Sequence, residues 1–162
     1  MPTGVSAELA GQVVRLLIDS GTTVAAAESL TGGLLTAALT SVPGSSAVVR
    51  GGVVAYATVV KAGLLGVDAE LLDRVGPVDP VVAEQMAVGA ARALGAQVGV
   101  ATTGEAGPDS GSGAPVGTVF VAVAGAGGVR GVGARLVGGR DEVRAGTVRM
   151  ALELLREVLT PG

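Results

Sequence analysis

Apolar positions along this chain switch repeatedly between helical and strand-like spacing. Val5, Leu9, Val13, Leu16 and Leu17 recur every three or four residues, and Gly21 follows where the run stops, so the spacing predicts a first amphipathic helix. Residues 22–27 read as a short buried strand, residues 28–33 as a polar, glycine-bearing turn, and residues 34–39 as the apolar start of a helix. Val42-Pro43-Gly44-Ser45-Ser46 breaks the chain; residues 51–57 then read as another strand, followed by a short helix containing Lys61.

Pro77, Asp79 and Pro80 mark a turn and a helix start, after which Val82, Met86, Val88, Ala90 and Leu94 are expected on a buried face that ends at Gly95. Residues 97–102 form the next strand candidate. Residues 104–115, rich in Gly, Ser and Pro, make a loop of the length usually reserved for function or mobility. Residues 116–123 and 131–137 suggest a hairpin whose loop, over 125–128, has four residues or more. Residues 140–159 close the chain as a helix, with Val143, Val148, Ala151, Leu152, Leu155 and Val158 on its inner side. Strands alternating with helices predict a layered α/β/α sandwich around a mixed, mostly parallel sheet.

Composition narrows the function. The 162 residues fit one domain, spanning 1–162, and a charged share of 15% beside 49% hydrophobic residues excludes a disordered chain. Tyr56 and Phe120 are the only aromatics and the net charge is −3, so neither stacking platforms nor a basic footprint for nucleic acid is present. The uncharged stretch 29–49 is broken by Thr, Ser, Gly and Pro43-Gly44, and Glu8 and Arg15 interrupt any signal-peptide core. A soluble, cytoplasmic protein with no membrane partner is expected. The chain has no Cys and no His, which removes thiolate nucleophiles, His-based triads and the usual zinc sites; no metal and no cofactor is expected. Proton transfer is left to Lys, Tyr, Asp and Glu. Ten of the eleven cations are Arg, and Lys61 is the single lysine.

Four short segments carry candidate chemistry. Glu28-Ser29-Leu30-Thr31-Gly32-Gly33 joins a strand to a helix, where free N–H groups attract an anion beside two hydroxyls; the same residues also suit a plain helix cap. Tyr56 and Lys61 bear titratable protons, of which burial releases the lysine's toward neutral pH, and the bland alternative is a packed tyrosine and a solvated lysine. Thr102-Thr103-Gly104-Glu105-Ala106-Gly107-Pro108 follows a strand, at the sheet edge where open α/β sheets hold ligands, although Thr-Gly and Gly-Pro are also ordinary turn chemistry. Gly138-Gly139-Arg140 sets a planar cation at a helix start, suited to phosphate or carboxylate, or simply to solvent.

Taken in order with Pro115-Val116-Gly117-Thr118-Val119 and Arg140-x-x-Val143-Arg144, these segments resemble the C-terminal domain of the CinA (competence/damage-inducible) family over nearly the whole chain. The resemblance implies a nicotinamide-nucleotide amidohydrolase, which converts nicotinamide mononucleotide to nicotinic acid mononucleotide and ammonia. It implies Ser29 as nucleophile, Lys61 and Tyr56 as proton-handling neighbours, Thr103 as a site hydroxyl and Arg140 as a substrate anchor. Thr31, Gly32, Gly33 and Gly104 join the expected substrate-binding set, the glycines supplying N–H groups for an oxyanion. Larger family members carry a separate N-terminal nucleotide-pyrophosphatase domain, which is not expected within these 162 residues. A homo-oligomer is expected. The family has an apolar residue where Glu105 stands, and a carboxylate there is expected to repel a phosphate. The alternative to an enzyme is a non-catalytic nucleotide-binding or interaction module that keeps the same pocket.

Overall fold

The structure, a computed structural model, describes residues 7–162. It is organised around β1 (Val24–Glu28), whose five residues are all buried. Side chains alternate across a strand, so Val24 and Ala26 enter one core layer while Ala25 and Ala27 enter the other. On the first face lie α1 (Ala7–Ser20), α2 (Leu34–Thr40) and α6 (Arg140–Leu159), which bring Leu17, Leu39 and Leu152. The second face is covered by α4 (Ala69–Val75) and α5 (Pro80–Leu94), contributing Leu71, Val82 and Met86. The predicted three-layer sandwich is what forms.

The sheet also contains β2 (Val49–Val54), β3 (Val98–Gly104), β4 (Thr118–Gly125) and β5 (Gly128–Arg135), in the order β2-β1-β3-β4-β5. β1 pairs parallel with β2 and β3, whereas β4 is antiparallel to both β3 and β5. Four strands therefore point one way and β4 alone runs against them. From β1 the chain goes first to β2 on one side and later to β3 on the other. A crevice opens where neighbouring connections diverge in this way, beyond the carboxyl ends of the strands. The residues following β1, β2 and β3 lie at that edge.

Local signals set several boundaries. Asp79 caps α5 by accepting from the amides of Val81 (2.8 Å) and Val82 (3.3 Å), Pro80 opens the helix, and Gly95 ends it in the left-handed region. The buried face of α5 departs from expectation: Val88 is exposed, and Ala83, Ala87 and Gly89 line the inner side with Val82, Met86 and Ala90. Small residues are selected there because the backbones come close. A Cβ on Gly99 of β3 would lie 1.9 Å from the Ala87 carbonyl, and one on Gly89 would lie 2.0 Å from that of Leu65.

Other differences are local. The spacing did not signal α4, a helix of only seven residues. The β4–β5 loop has two residues, Ala126 and Gly127, because Gly125 and Gly128 pair directly, and the one positive φ there falls on Gly128, where the chain enters β5. Val158 is more than a third exposed near the end of α6, and Val5 lies outside the described residues. No helix among the described residues is long and apolar enough to cross a membrane.

Candidate active site

The site starts at the carboxyl end of β1. Glu28 is fully buried, and its carboxylate accepts from Thr31 Oγ1 (2.6 Å), Leu35 N (2.8 Å), Thr36 N (2.9 Å) and Thr36 Oγ1 (2.7 Å). The start of α2 is thus satisfied by an internal carboxylate; an outside anion finds the Leu35 and Thr36 amides already taken. Gly32 (φ 58°) and Gly33 (φ 107°) reverse the chain between Ser29 and this helix. Arg144 of α6 holds the same turn, donating to the carbonyls of Leu30 (2.9 Å) and Thr31 (3.4 Å). Thr31 Oγ1 also lies 2.8 Å from Thr102 Oγ1, linking the turn to β3. Clamped from three elements, the turn fixes Ser29, which is itself buried.

Lys61 sits on α3 (Thr58–Gly63), directly after β2, and is 1% exposed. Its Nζ is 2.9 Å from Ser29 Oγ, 2.7 Å from the Ala55 carbonyl and 3.3 Å from the Tyr56 carbonyl. The ion pairs among the described residues join Arg130 to Glu157 and Arg144 to Asp141, so no carboxylate balances this amine. Burial without a counter-charge disfavours the ammonium and lowers its pKa from 10.5 to about 8. The three partners also orient the neutral form. Carbonyl oxygens only accept, so the two N–H bonds of a neutral amine point to Ala55 and Tyr56, leaving the lone pair for the hydroxyl of Ser29. Ser29 is the only one of the three partners with a proton to give.

Around this pair lies a cavity of about 430 Å³ whose lining includes Ser29, Tyr56, Lys61, Thr103, Gly104 and Arg140. Six of the nine residues expected at the site therefore meet in one place. Tyr56 approaches the pair through its carbonyl; the residue is 62% exposed at the mouth, where the phenol oxygen lies 3.3 Å from Arg140 Nη2. The phenol, expected among the proton-handling neighbours of Ser29, has its hydrogen bond with Arg140. Arg140 also donates to the Gly107 carbonyl (2.6 Å), joining the start of α6 to the loop after β3. Thr103 Oγ1 donates to the Pro77 carbonyl (2.7 Å), which anchors the segment before α5 to the cavity wall.

Thr31, Gly32 and Gly33 are absent from the lining. The Thr31 hydroxyl is committed to Glu28, and the Gly32 amide donates to the Ser29 carbonyl (3.1 Å). Their part is to shape the turn. Sequence reasoning missed Glu28 and Arg144 as supports of Ser29. Glu28 stands seven and eight residues before the amides it caps, beyond the spacing of a local helix cap, while Arg144 is more than a hundred residues from the turn it holds. No group of three or more Asp or Glu residues that could hold a metal ion gathers among the described residues. A second concavity, of about 470 Å³, lies at the opposite end of the sheet, and its only charged lining residue is Arg130.

The fold and site define a three-layer α/β domain with a buried serine–lysine pair at the switch point of its sheet. Residues 6–159 match the model of the CinA C-terminal domain, and the chain belongs to that family. It is 47% identical over 156 residues to a CinA-like protein of Frankia casuarinae, covering 96% of this chain and 36% of that protein. A CinA-like protein of Mycolicibacterium vanbaalenii is 50% identical over 153 residues, covering 93% and 36%. The chain thus spans about a third of the length of these curated relatives. Among solved structures it resembles the competence/damage-inducible protein CihA of Agrobacterium tumefaciens, at 44% identity and a TM-score of 0.89, with 94% of each chain covered. A CinA superfamily protein of Klebsiella pneumoniae superposes with a TM-score of 0.90 at 36% identity, covering 94% of this chain and 96% of that one.

Proposed function

We propose that this domain hydrolyses the carboxamide of a nicotinamide nucleotide, nicotinamide mononucleotide being the substrate the family resemblance suggests. The observation that carries the reading is the 2.9 Å contact between Ser29 Oγ and a buried lysine amine with no counter-charge. A pocket that only binds has no need of this pair, and an ammonium kept there without a carboxylate costs stability. In a chain without Cys or His, serine activated by lysine is the available nucleophilic chemistry.

In the proposed reaction, neutral Lys61 takes the hydroxyl proton as Ser29 Oγ attacks the carboxamide carbon. The tetrahedral intermediate then collapses as Lys61 returns that proton to the nitrogen. Ammonia leaves and the nicotinoyl ester of Ser29 remains. Water, deprotonated by the same amine, opens the ester; the acid departs and Ser29 regains its proton. Of the glycines expected to serve the oxyanion, Gly104 lines the cavity. The backbone amides of Leu30 and Ala106, also in the lining and without a backbone acceptor, are the further donors we propose. Arg140, at the mouth, is the proposed anchor for the phosphate.

The test is incubation of nicotinamide mononucleotide with the protein, read by mass spectrometry and ammonia release. Replacement of the amide NH2 by OH raises the product mass by about one unit, and Ser29→Ala should abolish the gain. No mass change with the folded wild-type protein would remove the hydrolase reading.

A further inference from the structure

The cavity lining also carries a carboxylate without a part in that reaction. Glu105 follows β3 directly and lines the cavity with Ser112 and Arg140. One of its oxygens, Oε2, accepts from Gly111 N (3.1 Å), Ser112 N (3.0 Å) and Ser112 Oγ (2.8 Å), closing the glycine- and serine-rich loop onto the site. The base of this loop is held by the Glu105 amide donating to the Thr118 carbonyl (2.9 Å) and the Gly117 amide donating to that of Glu105 (2.7 Å). These contacts give the carboxylate a fixed location. Its second oxygen, Oε1, has no protein donor among the described residues, and the side chain is only half-buried.

The charges lining the cavity are therefore Glu105, Arg140 and Lys61, the last losing its proton near pH 8. With Lys61 in its neutral form, one fixed cation and one fixed anion remain. Glu105 forms no ion pair among the described residues, and the two guanidinium nitrogens of Arg140 that are engaged meet uncharged partners, Gly107 and Tyr56, which leaves further donors free. Each charge is left to a ligand. A neutral aromatic amide would leave the carboxylate uncompensated as the cavity loses water, whereas a ring bearing a positive nitrogen would offset it.

We infer that Glu105 is a specificity-determining residue that selects amides on a cationic, N-substituted heteroaromatic ring over the same amides on a neutral ring. The inference rests on the nucleotide-amide reading above and adds the source of its charge preference. It also gives the carboxylate a place beside the ring instead of against the phosphate.

The experiment compares nicotinamide mononucleotide with its 1,4-dihydro form, which keeps the ribose phosphate but has an uncharged ring. Dissociation constants are measured by calorimetry in the Ser29→Ala background, so that neither ligand is turned over. The cationic form should bind about tenfold more tightly, and Glu105→Gln, which retains an oxygen for the loop amides, should reduce that preference to about twofold or less. Ser112→Ala, which loosens the loop and keeps the charge, should preserve the preference and so separate electrostatics from loop order. An undiminished preference in the folded Glu105→Gln variant would overturn the inference alone. Absence of binding by either nucleotide to the folded Ser29→Ala protein would overturn it together with the reading on which it rests.

Discussion

Lys61 shows how one side chain is recruited by its surroundings. Desolvation lowers its pKa to about 8, and its two carbonyl partners turn the lone pair of the neutral amine toward Ser29. If that amine is the base, hydrolysis should accelerate as pH rises through about 8 and then level off. Lys61→Arg keeps the positive charge but cannot release a proton, so it should lose about a hundredfold or more in rate, as should Lys61→Ala, with circular dichroism unchanged. Substantial activity in folded Lys61→Arg would take the role of base away from this residue. A second expectation follows from linkage. The folded-state pKa lies below the value of 10.5 expected when unfolded, so between about pH 8 and 10.5 the unfolded chain binds more protons and stability rises with pH. Urea unfolding of wild type and Lys61→Met across that range should show wild type gaining up to about 3 kcal/mol on the variant. A difference that does not change with pH would contradict a lowered pKa.

The short elements α2 and α3 owe their positions to contacts made outside themselves. With seven residues, α2 is too short to be stable alone, and the Glu28 carboxylate caps it from the strand before it. Glu28→Ala takes the acceptor from the buried Leu35 amide and from the half-buried Thr36 amide and hydroxyl, and leaves the Thr31 hydroxyl with Thr102 alone, which should cost roughly 3 kcal/mol in unfolding free energy. Glu28→Gln, which offers one oxygen in place of two, should cost roughly half as much. Equal stability of wild type and Glu28→Ala in urea would show that the cap contributes nothing. The start of α2 as an element boundary was legible in Thr31-Gly32-Gly33. Its capping partner was not, because a carboxylate seven residues upstream meets those amides only after two glycines at positive φ fold the turn back.

For the whole molecule, the site is a meeting of distant segments: Ser29 after β1, Ala55 and Lys61 after β2, Thr103 and Glu105 at β3, and Arg140 at the start of α6. Arg140 ties that last helix to Gly107 and Tyr56, so its removal should affect binding more than folding. With Arg140→Ala, kcat/KM for nicotinamide mononucleotide should fall about tenfold or more while the phosphate-free riboside changes little. Equal losses on both substrates would remove the phosphate assignment. Because the chain lacks Cys and His, chelation with EDTA should leave hydrolysis unchanged, and restoration of a lost activity by zinc or magnesium would refute the serine–lysine scheme.

The alternation of apolar runs with glycine and proline breaks determined the layered fold and most element positions, since each helix or strand must bury its own face. It could not rank Val88 against Ala87 and Gly89, because only the close approach of α5 to β3 and to the Leu65 backbone makes the smaller residues the buried ones. At the site, the single lysine, the Glu28-Ser29 turn and the absence of Cys and His were visible in the sequence and restricted the chemistry. Tertiary structure decided which of these residues meet. It turned the Tyr56 phenol toward Arg140, committed Thr31 to Glu28, and fixed Glu105 beside the cavity through the loop amides. Side-chain direction and hydrogen-bond partners depend on how strand ends are brought together, so residue type and spacing could not specify them.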